Sequence, residues 1–96
     1  MAVKAVILSA EIIAFFEEEI IKHPKTETGG ILLGYMEPTG LATVTHASGP
    51  GPAAKHHRKS ITFDVEYCQS FVDQIYYQSS GDITYIGDWH FIRVQK

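Results

Sequence analysis

Cysteine is nearly absent, with Cys68 standing alone among 96 residues. One thiol cannot build an intrachain disulfide framework, so a reducing cytoplasm is the default setting. Positive charge is scarce too. Eight Lys and Arg face eleven Asp and Glu, for a formal net charge of −3. Broad polyanion binding needs a basic surface, so nucleic acid is not an expected partner. No apolar run reaches the roughly 20 residues that a membrane-crossing helix needs, so no membrane is expected either. The opening "MAVKAVILSAEIIAFFEEE" imitates a signal peptide, with Lys4 ahead of an apolar stretch. Glu11 breaks that stretch, three glutamates follow, and no small-residue cleavage site is evident. Internal repeats and low-complexity segments are also missing.

What is present reads as an ordinary globular domain. Apolar residues make up 45% and charged residues 20% of the chain, a composition that buries a core rather than staying disordered. Residues 1–96 are one domain at most, with little core to spare. Val3 to Leu8 reads as a buried strand. Ser9 is a helix N-cap, followed by Ile12, Ile13, Phe16 and Ile20 at helical spacing until Pro24 stops the helix near His23. Residues 30–36 and 41–47 read as a hairpin turning at "EPTG". Residues 48–59 are a loop by their Gly, Pro and charge content, and "SITF" is a short strand. Asp64 caps a second helix with Val65, Cys68, Val72 and Ile75 on its apolar face, and Gly81 suits the position past its end. "DITYIGDWH" is the last strand. The fold class is α/β, a curved mixed β-sheet flanked by two helices.

Most chemically suggestive residues also have an ordinary reading. "KHHRK" at 55–59 suits phosphate contact, yet such runs are usually solvated loops. His46 reads as a surface or packed histidine, Glu17, Glu18 and Glu19 as one solvated helix face, and Cys68 as core. His90 alone reads as a structural or exposed residue. "TETGGILLGY" is harder to dismiss, because Glu27 places a carboxylate at the start of a buried strand. Gly29 and Gly30 there allow another backbone to approach closely.

Taken together, "ETGGILLGY" and "YIGDWH" match, in order, the two landmarks of the JAMM (JAB/MPN) zinc metallopeptidase and isopeptidase family. The linking "TFDVEYCQSFVDQIYYQSSGD" also looks like its prokaryotic members. The resemblance covers nearly all of the chain up to His90 and implies a JAB/MPN-like, cytidine-deaminase-like domain. It implies Glu27 as general base and His90 as first zinc ligand. The implied partner is the C-terminal tail of a ubiquitin-like or sulfur-carrier protein. A metal-bound water of lowered pKa and a carboxylate to take its proton fit that chemistry.

The resemblance then departs from the family pattern. The family's second ligand histidine falls two residues on, on the same strand face, and that position is Ile92. Arg93 stands where a proline is expected. The family's serine and ligand aspartate would lie past Lys96, so the chain reads as a domain missing its C-terminal part. The metal site is therefore expected to be incomplete, zinc binding weak or absent, and the chain inactive. The other reading is a non-catalytic binding or scaffold module. Intact Glu27 favours the enzyme lineage and Ile92 the module. A homodimer through the C-terminal strand is the expected assembly, because Ile83, Tyr85 and Trp89 fall at alternate positions along an open edge. The competing outcome is a monomer in which Phe91, Ile92 and Val94 fold back over that edge.

Overall fold

A computed structural model describes residues 3–92. Strand β1 (Ala5–Ile7) leads into helix α1 (Ala10–Lys22), then strands β2 (Thr28–Met36) and β3 (Leu41–Ala47). A two-stranded ribbon follows, β4 (Lys55–His56) with β5 (Ile61–Thr62). Helix α2 (Val65–Gln78) and strand β6 (Thr84–Phe91) complete the order. The main sheet runs β1-β3-β2-β6, with β1 parallel to β3 and the other pairs antiparallel. The architecture is α/β, a mixed sheet with two helices. No helix among the described residues is long and apolar enough to cross a membrane.

Both helices start where side chains satisfy their first amides. The Ser9 hydroxyl accepts from the Ile12 N–H, and Asp64 Oδ1 accepts from the Tyr67 N–H at 3.2 Å. The second helix ends one residue earlier than the glycine rule suggests. Ser80, at φ 54°, takes the left-handed position, and Gly81 follows it at φ 84°. The Gly81 N–H returns to the Tyr76 carbonyl at 2.8 Å and the Ser80 N–H to Tyr77 at 3.2 Å. These paired bonds form a Schellman closure, in which Gly81 sits one place beyond the expected position.

Alternation along β2 divides the core. Ile31 and Leu33 face α2 and cluster with Cys68, flanked by Phe63, Phe71, Val72, Ile75 and Ile83. Thr28 and Gly30 face α1, where Trp89 packs against Phe16 at 4.5 Å between ring centroids and against Phe15 at 6.4 Å. Three apolar expectations are corrected. Ile13 and Val65 are exposed, and β1 is an exposed edge strand rather than a buried one. On the two helices a neighbour takes the core position: Ile12 on α1, and Cys68 with Phe71 on α2.

The last strand also departs from simple alternation. Leu32 pairs with Gly87 but Leu33 pairs with Tyr85, so Ile86 is an extra residue, a β-bulge. The bulge reverses the phase of everything before it. Tyr85 therefore joins Leu33 on the α2 side, whereas Trp89, opposite Gly30, lies on the α1 side. The expected common face of Ile83, Tyr85 and Trp89 does not form.

Candidate active site

Glu27 sits immediately before β2 and is buried, with 6% of its surface exposed. Its backbone is held on both sides by the ribbon. The Glu27 N–H donates to the His57 carbonyl at 2.9 Å, and its carbonyl accepts from His56 Nδ1 at 3.1 Å.

The glycine pair shapes the floor. His90 lies directly opposite Gly29 in the antiparallel ladder. A Cβ on Gly29 would run into the Trp89 carbonyl oxygen and come within 3.3 Å of the His90 Cα and the Phe63 ring. Without it, the His90 ring stacks on Phe63 at 5.4 Å. On the α1 side, a Cβ on Gly30 would overlap the Ser48 carbonyl and lie 2.8 Å from Trp89 Nε1. That space is used by the buried Trp89 Nε1–H···O=C bond to Ser48, 2.8 Å long. Both glycines thus permit the close backbone approach that the sequence suggested.

Gly29 and His90 share one face of the sheet, and Glu27 lies two residues before Gly29, just outside the ladder. Asp88, opposite Ile31, occupies the same face. Its Oδ1 accepts a 2.6 Å bond from the Tyr85 hydroxyl, an i to i+3 contact that the bulge at Ile86 makes possible. Ile92, at the next alternate position, is 67% exposed and offers only carbon. Arg93 and Val94, which also entered the sequence reading, lie outside the described residues.

Beside this face a cavity of about 440 Å³ opens between β6 and the start of α2, floored by Ile31, Phe63, Cys68 and Val72 with Asp88 at its edge. Burial, with a smaller push from Asp64, holds the Cys68 thiol above its usual range, and this suits a core role rather than a nucleophilic one. His46 is half-buried on β3, its Nδ1 2.8 Å from Thr45 Oγ1. His56 and His57, left unplaced by the sequence, border Glu27. Glu19 is corrected outright. It is buried, accepts from Thr28 Oγ1 at 3.2 Å, and lies 3.3 Å from His23 Nε2.

Among the described residues, no group of three or more His, Cys, Asp or Glu side chains is placed to hold a metal ion. No family model matches the chain. Two curated proteins resemble it over much of its length. A probable metalloprotease of Sinorhizobium fredii is 42% identical over 64 residues, covering 67% of this chain and 39% of that protein. A CD-NTase/cGAS isopeptidase of Escherichia coli is 34% identical over 68 residues, covering 71% of this chain and 43% of that protein. The chain is similar to a metalloprotease and to an isopeptidase. The matched part spans less than half the length of either relative.

One pH-dependent consequence is local to this face. The bond to Asp88, helped by desolvation, pushes the Tyr85 phenol up to about 12, against an ordinary tyrosine near 10. The neutral phenol is the favoured form in the folded protein. Its contribution is therefore complete below the unfolded value and fades as pH rises toward the folded one. Alkaline titration by tyrosine absorbance is expected to show one tyrosine ionising last, and Asp88→Ala is expected to return it toward the ordinary value. Superimposable curves would contradict the Tyr85–Asp88 bond.

Proposed function

We propose that the chain carries the base and the first metal-ligand position of a JAMM-type hydrolase, with Glu27 and His90 in those roles. The proposed substrates of this lineage are bonds at the C-terminus of ubiquitin-like or sulfur-carrier proteins. One observation carries the reading. A buried glutamate lies two residues before Gly29, the residue opposite His90 in the ladder, in a chain resembling a protein named a metalloprotease. The mixed sheet with its two helices is compatible with a JAB/MPN-like domain, and the isopeptidase name of the second relative supports the substrate class.

Zinc is the metal that this lineage implies. A catalytic zinc takes three protein ligands and keeps one position open. The described residues do not fit that requirement. His90 supplies one imidazole, Ile92 supplies none, and the Asp88 carboxylate is engaged by Tyr85. What the chain's own residues can do is hold a carboxylate. In this proposal Glu27 takes a proton from an attacking water and returns it to a leaving amine, a role worth typically 10²–10⁴-fold in rate.

Ile92 favours a second reading, a binding module that retains the face but not the chemistry. In that reading the cavity beside Asp88 receives an apolar side chain of the bound tail. The two readings share His90 as the residue nearest any metal. Zinc titrated into protein with ¹⁵N-labelled histidine rings is expected to perturb His90 first among the five histidines, followed by amides flanking Glu27. A first response at His23, His46, His56 or His57, with His90 unmoved, would refute the proposed metal-facing position.

A further inference from the structure

The "KHHRK" run finds a use that does not involve phosphate. The β2–β6 ladder begins at Thr28 opposite Phe91, so the sheet does not hold the backbone of Glu27. Both of its main-chain groups are instead bound by the ribbon, the N–H by the His57 carbonyl and the carbonyl by His56 Nδ1. We propose that His56 is a positioning residue for Glu27, fixing the candidate base through its main chain. This inference rests on the reading of Glu27 as the base.

The ribbon is built to act as a fixed arm. Lys55 pairs with Thr62 and His56 with Ile61, and the His57 N–H closes the turn on the Ser60 carbonyl at 2.9 Å. Its foot is tied to the start of α2. The Asp64 N–H donates to the Pro50 carbonyl at 2.8 Å, and Asp64 Oδ2 accepts from the Ala53 N–H at 3.0 Å. The arm is also braced from behind. The His56 ring stacks on His23 at 3.7 Å and 12°, His23 Nε2 lies 3.3 Å from Glu19 Oε1, and Glu19 accepts from Thr28 Oγ1. A contact chain thus runs from the last turns of α1 through two imidazoles to the carbonyl of Glu27, while Thr28 is tied back to the same helix.

A carbonyl oxygen only accepts, so His56 Nδ1 must carry the proton in this contact. That fixes the tautomer and separates two roles of the same ring, donor to Glu27 and stacking partner to His23. Two substitutions divide those roles. His56→Phe keeps a ring against His23 and removes the donor. His56→Asn removes the ring and keeps an N–H at the same number of bonds from the backbone.

The experiment uses the whole chain and needs no turnover. Ring ¹⁵N shifts of the wild type at mildly alkaline pH are expected to report protonated Nδ1 and bare Nε2 at His56. Amide hydrogen exchange is then read at Glu27 in the folded variants. His56→Phe is expected to lower Glu27 protection at least tenfold, and His56→Asn is expected to retain most of it. The opposite tautomer would overturn the proposal, as would a His56→Phe variant with wild-type protection. Equal loss in both variants would also overturn it, because that would assign the effect to the stack. Failure here leaves Glu27 as base untouched. Failure of the base reading would instead appear in the zinc titration, as amides flanking Glu27 that do not respond, and would leave the clamp standing.

Discussion

Gly30→Ala is expected to remove about 4 kcal/mol of folding stability, from overpacking plus a buried hydrogen bond lost on both sides. The new methyl would overlap the Ser48 carbonyl and crowd Trp89 Nε1. The neighbour is backbone, so it cannot swing aside, and the indole that bonds Ser48 must leave with it. A domain of this size holds roughly 5–15 kcal/mol in total, so the variant should sit near the edge of folding. Gly87→Ala provides the control. Nothing lies within 4 Å of a Cβ built there, and the strand should accept it at little cost. Urea midpoints that fall equally for the two variants would show that the Gly30 contact is not what holds the sheet to the loop at Ser48.

Much of this architecture is written locally in the sequence. Ser9 and Asp64 mark helix starts because a short oxygen-bearing side chain before an amphipathic run has few other uses. The Gly29–Gly30 pair could be read as a close approach because a glycine pair entering an apolar strand gives up packing that something else must use. What stayed hidden depends on partners distant along the chain. The bulge at Ile86 is invisible in "TYIGDWH", since its cause is the register against Leu32 and Leu33. Alternation alone therefore joined Tyr85 to Trp89 and missed the Tyr85–Asp88 bond.

Glu19 looked like its two neighbours because a helix face is defined by what packs on it, and its partner Thr28 lies beyond the helix, on β2. The two-residue strands of the ribbon are too short to show a period, so the placement of His56 against Glu27 could not be read. Ser80 took the left-handed position from a glycine one residue away, a choice set by how α2 closes on Tyr76 and Tyr77.

Ile92→His is expected to convert a weak zinc interaction into a defined one. Position 92 lies two residues beyond His90, just past the end of β6, so a histidine there is expected to present a second imidazole on the His90 face. The substitution is cheap because Ile92 is two-thirds exposed and contributes little burial. Adding one ligand to a single imidazole leaves the site short of the three that a catalytic zinc requires. The gain is therefore read in affinity rather than turnover. An increase of at least tenfold corresponds to about 1.4 kcal/mol.

In the proposed reading, His90 and position 92 share one face at the mouth of the β2–β6 pair. Zinc calorimetry on four proteins tests it: wild type, His90→Ala, Ile92→His and the double variant. The expected result is weak binding in the wild type, at least tenfold tightening in Ile92→His, and loss of that gain when His90 is also removed. Equal tightening in the His90→Ala background, or none in either, would contradict the shared face.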